Sequence, residues 1–125
     1  MAYLLDSNII IYSYSNEYIY LRELFIGDLC AISEISRVEV LGFSKIKKEE
    51  DDYFRDIFEY VTLILPNQEI YDQAITVRKL YNLKLGDSMI AATAMVNDLI
   101  IYTRNLSDFK RIKGLKYYNP ISPEI

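Results

Sequence analysis

Ala2-Tyr3-Leu4-Leu5-Asp6-Ser7-Asn8 decides the fold. A brief apolar run that stops at a polar Asp-Ser-Asn turn reads as a short buried strand, Ala2 to Leu5, ending at Asp6. Ile9 to Tyr14 starts a helix, and a second helix over Glu17 to Phe25 is closed by Gly27. Leu29 to Ile32, Val61 to Leu65 (stopped by Pro66), Leu99 to Tyr102 and Leu115 to Tyr118 read as further strands. Between them, Ser33 opens a helix whose apolar stripe runs through Ile35, Val38, Leu41 and Ile46 and contains Glu39. An amphipathic helix carries Tyr53, Phe54, Ile57 and Phe58. Asn67 caps a helix in which Ile70, Ala74, Val77 and Tyr81 recur at intervals of three and four. Gly86 and Asp87 start the next, which from Met89 to Val96 is apolar on nearly every face and should be buried. Leu106 to Lys110 is a single turn. Strands alternating with helices predict an α/β fold: a central parallel sheet of four to five strands flanked by helices. Ligands of such sheets gather beyond the carboxyl ends of the strands, where strand order switches, and Asp6 and Thr103 both follow strands directly.

The chain has 125 residues, the size of one domain, so one core spanning 1–125 is expected. Half of the residues are hydrophobic (51%) and a quarter charged (26%), an ordinary balance for a folded protein. No apolar run approaches the roughly 20 residues of a spanning helix. Met1 leads into Leu4, Leu5 and Asp6 without the basic segment and apolar stretch of a signal peptide, so the expected address is the cytoplasm.

Cys30 is the only cysteine, and there is no histidine. That removes a four-ligand Cys/His zinc site, a Ser-His-Asp or Cys-His system, and any histidine general base. Carboxylates, hydroxyls, amides and Lys or Arg are left for catalysis, and hard oxygen ligands suit Mg²⁺ or Mn²⁺. A net charge of −4 argues against binding nucleic acid through bulk basicity. Arg104, Lys110, Arg111, Lys113 and Lys116 nevertheless lie close together, either facing phosphate or simply solvated.

Each notable acid has a local explanation. Asp6 and Asp87 could cap the helices after them, Ser36 to Glu39 has the form of a capping box, and Asn105 with Asp108 could do similar work. Together they are harder to dismiss. Asp6 follows a buried strand, Glu39 interrupts an apolar stripe, and Asp87 enters the most apolar helix, so carboxylates in these positions need a cation or strong donors.

Four stretches, Leu4-Leu5-Asp6-Ser7-Asn8-Ile9, Ile35-Ser36-Arg37-Val38-Glu39-Val40, Leu85-Gly86-Asp87-Ser88-Met89-Ile90-Ala91-Ala92 and Tyr102-Thr103-Arg104-Asn105-Leu106-Ser107-Asp108-Phe109, resemble the signature stretches of PIN domains, in family order. More closely, the chain is similar to the VapC-type toxins of toxin–antitoxin pairs, whose usual C-terminal end Gly114-Leu115 to Asn119-Pro120 resembles. The resemblance implies metal-dependent endoribonuclease activity, with Asp6, Glu39, Asp87 and Asp108 as catalytic metal ligands, direct or through water. It makes Ser7, Asn8, Thr103 and Asn105 the groups that orient carboxylates or the attacking water. Ser7 stands where the family often has Thr, and the hydroxyl is kept. Arg104 either holds a substrate phosphate or is solvated. The implied partners are an RNA, with transfer RNA or ribosomal RNA as candidates, a cognate antitoxin and a second copy of the chain; no membrane is implied. The tyrosines Tyr12, Tyr14, Tyr18 and Tyr20 are read as core or interface residues before base-stacking platforms.

Two rival functions remain open at this point. A phosphatase with Asp6 as nucleophile would need Asp-x-Asp after the strand, and the third residue here is Asn8. A non-catalytic PIN-like module binding RNA or protein would not need all four acids.

Overall fold

Tyr3–Leu5 (β1), Cys30–Ser33 (β2), Thr62–Ile64 (β3), Ile100–Tyr102 (β4) and Tyr117–Tyr118 (β5) join in one sheet of order β3-β2-β1-β4-β5. Every neighbouring pair is parallel, with Leu5 of β1 in register with Ile32 of β2 and Tyr102 of β4. The expected α/β architecture is the observed one. The computed structural model describes residues 1–121; the last four residues of the expected 1–125 span lie outside the described residues.

β1 is central and apolar on both faces because helices cover both. Leu4 points into a cluster with Val77, Ile90, Ala91, Ala94 and Ile101, whereas Leu5, one residue on and so on the opposite face, meets Ile9, Ile10, Ile32, Phe54 and Phe58. On the Leu4 side lie Gln68–Tyr81 (α4) and Leu85–Val96 (α5). In α5 every residue from Ser88 to Ala94 is buried, as its nearly uniform apolarity predicts. On the Leu5 side lie Ser7–Tyr12 (α1), a 3-10 segment over Asn16–Phe25, and Lys48–Tyr60 (α3). Glu34–Leu41 (α2) follows β2, and Leu106–Phe109 (α6) is the single turn after β4.

Several local expectations need correcting. The segment expected as a second helix is 3-10 and broken at Tyr18 (φ −113°, ψ 28°). α2 stops at Leu41, where the Gly42 N–H closes on the Val38 carbonyl, so Ile46 lies beyond it. The buried face of α2 is Ser36 and Val40, one turn apart, and this rotation leaves Val38 63% exposed. The apolar stripe through Val38 is therefore not what packs on the sheet. The cap of α2 is Ser33, whose Oγ accepts from the Ile35 N–H; Ser36 lies inside the helix. α5 begins before Asp87, which occupies its first turn, with Lys84 at the cap position. Asn67 caps α4 as expected, accepting from the Ile70 N–H at 2.9 Å.

From β1 the chain runs outward through β2 to β3, then returns to place β4 on the other side of β1 and β5 beyond it. Strand order thus switches between β1 and β4. Just past that boundary the Asp6 N–H donates to the Tyr102 carbonyl at 2.9 Å, fixing the Asp6 turn against the end of β4. A crevice at the carboxyl edge belongs there.

Candidate active site

Asp6 is 6% exposed, and both its carboxylate oxygens are engaged. Oδ1 accepts from the Ser7 N–H at 2.8 Å, so Asp6 does cap α1. Oδ2 accepts from Thr103 Oγ1 at 2.8 Å and from Asn8 Nδ2 at 3.2 Å. All three donors are neutral. Burial pushes the Asp6 carboxyl up to about 6, against the downward pull of Thr103 and Ser7 and with the added repulsion of Asp87 and Glu39.

Glu39 is held differently. It lies on the open side of α2, exposed rather than buried in an apolar stripe, and its Oε1 accepts from Ser7 Oγ at 2.7 Å. Ser7 Oγ and Ser36 Oγ are 3.0 Å apart. With the one Ser7 proton given to Glu39, the Ser36 hydroxyl is placed to donate to Ser7. Gly86 completes the seat: a Cβ at this position would stand 2.9 Å from Glu39 Oε2, so the absence of a side chain lets the carboxylate lie against α5.

Asp87, in the first turn of α5, is half-buried. Burial raises its carboxyl, Asp108 and Glu39 raise it further, and Lys84 opposes them. Asp108 accepts from Asn105 Nδ2 at 2.9 Å and has the Arg111 guanidinium at 3.9 Å. The structure thus brings all four sequence-predicted acids into one electrostatic neighbourhood; Asn8, Thr103 and Asn105 each donate to one of them, and Ser7 donates to two. Arg104 is exposed at the rim, its backbone N–H reaching Asn8 Oδ1 at 3.4 Å. The sequence reading missed Gly86 and Ser36 as parts of the site. Neither carries a spacing signal, and Ser36 in particular is indistinguishable in sequence from a cap.

Among the described residues no ion pair reaches Asp6, Glu39 or Asp87. No group of three or more acidic or thiol side chains there is drawn together tightly enough to hold an ion by itself. This donor set fits a hard cation that keeps part of its water shell and takes one or two carboxylates, as Mg²⁺ and Mn²⁺ do. It does not fit a thiophilic metal. Cys30 is buried, and burial pushes its thiol up to about 12.

The sequence profile of the PIN domain matches residues 3–115. This chain belongs to the PIN-domain family. Within it, the chain is 31% identical to Ribonuclease VapC1 of Rickettsia felis over 102 residues, covering 78% of this chain and 69% of that protein. It is 35% identical to Ribonuclease VapC1 of Methanocaldococcus jannaschii over 97 residues, covering 71% and 70%. Among solved structures, a toxin–antitoxin complex from Klebsiella pneumoniae superposes with a TM-score of 0.80 at 31% identity, over 98% of this chain and 100% of that one. The PIN domain described here is thus of the VapC type in sequence and in fold.

Two predictions follow from the geometry. The Asp6 carboxyl is raised from an ordinary 3.8 to about 6, so the folded PIN domain holds this proton more tightly than the unfolded chain does. The stability gained is complete below about pH 4 and is lost as pH rises through about 6. In chelating buffer, Asp6 alone should therefore lower the unfolding free energy by about 2–3 kcal/mol between those limits. Denaturant unfolding of wild type and Asp6→Asn across this range checks it: the substitution should flatten the fall, and parallel profiles would contradict the account. Gly86→Ala should displace the Glu39 carboxylate while leaving stability unchanged or higher by up to about 1 kcal/mol, since alanine favours a helix. Loss of activity at full thermal stability is the expected result; full activity would show that the Glu39 seat does not matter.

Proposed function

We propose that this PIN domain is a divalent-metal-dependent endoribonuclease, the toxin of a type II toxin–antitoxin pair. The observation that carries the reading is the buried Asp6 carboxylate, satisfied only by neutral donors and crowded by Glu39 and Asp87. Such a cluster is costly unless a cation joins it. Asp6, Glu39, Asp87 and Asp108 would hold Mg²⁺ or Mn²⁺, some of them through water. A cation there supplies positive charge for the phosphoryl oxygen and a water of lowered pKa, the role for which this chain has no histidine.

The chain's own groups do the rest. Thr103 and Asn8 fix the Asp6 oxygens, Ser7 aims Glu39, and Asn105 aims Asp108. The exposed Arg104 offers a planar set of donors to a phosphate of the strand. Water adds at phosphorus, the bond to the 3′ oxygen breaks, and that oxygen leaves with a proton, giving a 5′-phosphate and a 3′-hydroxyl. Transfer RNA and ribosomal RNA are the substrates we would test first.

An antitoxin partner is supported by the relatives: one neighbouring structure is described as VapBC2 from Rickettsia felis bound to a DNA fragment of its promoter, at 28% identity and a TM-score of 0.78 over 95% of this chain and 98% of that one. Glu39 also stands between two apolar recesses, one with Val38, Tyr71, Leu85 and Met89, the other with Ile11, Phe43, Ile46 and Phe54. A partner segment with apolar side chains and one arginine would suit them, its guanidinium competing with metal for the acids. A homodimer belongs to the same proposal. No helix among the described residues is long and apolar enough to cross a membrane. The non-catalytic alternative leaves the crowded acids without a purpose.

Purified protein should cleave RNA with Mg²⁺ or Mn²⁺ and stop in excess chelator. Asp6→Asn and Asp87→Asn should each lower the rate by at least about a hundredfold while remaining folded. Sequencing the 5′ ends of the fragments tests the chemistry and identifies the site. Undiminished cleavage in chelator, or activity in both variants, would overturn the proposal.

A further inference from the structure

Arg104 leaves β4 one residue after Thr103, whose hydroxyl is bonded to Asp6. A long cationic side chain beside four carboxylates has every electrostatic reason to fold onto them. It does not. Arg104 makes no ion pair among the described residues. Instead its Nη1 donates to the Tyr12 hydroxyl at 2.6 Å, and its Cζ lies over the Tyr12 ring, 5.0 Å from the centroid. Tyr12 ends α1 and is itself braced edge-on by Tyr18, with ring centroids 5.0 Å apart. The backbone on either side is pinned as well, by the Asn8 amide oxygen and by Thr103.

A guanidinium collapsed onto these acids would occupy the place of a cation and would have no donors left for RNA. We infer that Tyr12 is a positioning residue: it holds Arg104 off the carboxylates and presents the remaining guanidinium N–H groups at the mouth of the site to a phosphodiester oxygen. The inference rests on the ribonuclease reading and adds to it the residue that keeps the protein's own cation from neutralising the site. Ring and hydroxyl have separate parts in this, the ring face carrying the charge and the hydroxyl accepting one N–H.

The test is Mn²⁺ binding to the RNA-free protein, read from the EPR signal of free Mn²⁺, in wild type, Tyr12→Ala, Arg104→Ala and the double variant. Tyr12→Ala should weaken Mn²⁺ roughly fivefold, the scale of one solvent-accessible ion pair. Arg104→Ala should bind at least as tightly as wild type, and the double variant should match Arg104→Ala, because the loss requires a loosened guanidinium. A Tyr12 that is merely structural would weaken Mn²⁺ equally with or without Arg104, and that result overturns the inference. Tyr12→Phe keeps the ring and its packing on Tyr18. If Tyr12→Ala does not fold, Tyr12→Leu with and without Arg104→Ala takes its place: Mn²⁺ weakened only where Arg104 is present supports the inference, and unchanged affinity or a loss independent of Arg104 overturns it. With RNA, Arg104→Ala and Tyr12→Phe should raise KM more than they lower kcat, and the reverse split counts against a phosphate-presenting role. Absence of Mn²⁺ binding in wild type would sink the ribonuclease reading itself, and this inference with it, a failure visible before any variant is made.

Discussion

Asp6 occupies the turn between the central strand and α1, where its backbone is tied to β4 and its side chain is 6% exposed. A carboxylate there has no room to turn to solvent. Three neutral donors keep it oriented without cancelling its charge, and desolvation lifts its proton affinity towards neutrality. The rest of the site is arranged around this one unfavourable burial. The Ser7 N–H is capped by Asp6 and the Ser7 hydroxyl donates to Glu39, so one residue links the Asp6 turn and α1 to the acid on α2. Thr103 ties the end of β4 to the same carboxylate, which makes the β1–β4 switch a mechanical as well as a topological feature.

Much of this was legible in the sequence. The turn after Leu5, the cap at Asn67 and the apolar run of α5 each carry a local physical signature, and with alternating element types they lead to a parallel sheet with Asp6 and Thr103 at its carboxyl edge. What was not legible depends on how helices rotate against the sheet. The hydrophobic count along α2 favours a stripe through Val38, yet Ser36 and Val40 face inward, with Val40 in the core beneath β1 and Ser36 within reach of the Ser7 hydroxyl that donates to Glu39. Glu39 is consequently exposed and belongs to the site through its contacts rather than through burial. The acid motifs and their order were recognisable as a resemblance to PIN domains; the seat for Glu39 at Gly86 and the Tyr12 hold on Arg104 arise from contacts far apart in sequence, of which no single stretch bears a trace.

The absence of histidine gives the acid cluster its chemical sense. General-base work at neutral pH normally falls to a group that titrates there, and imidazole is the usual choice. Here burial and mutual repulsion raise two carboxyls, Asp6 to about 6 and Asp87 in the same direction. A hard cation bound among such groups would displace their protons and relieve the same repulsion. A net charge of −4 is compatible with action on RNA under the proposed reading, in which a cation held by the acids and Arg104 at the rim would meet the phosphate locally.

The central claim is that the buried Asp6 carboxylate is the proton-exchanging heart of a cation site, and the most direct measurement of it is proton release on Mn²⁺ binding. Calorimetric titration of the RNA-free protein in buffers of different ionisation enthalpy counts the protons displaced. The account predicts release of about half a proton near pH 6, where Asp6 is half-protonated, falling towards zero by about pH 8, with the difference abolished in Asp6→Asn. Mn²⁺ binding whose proton release is the same in wild type and Asp6→Asn would contradict it.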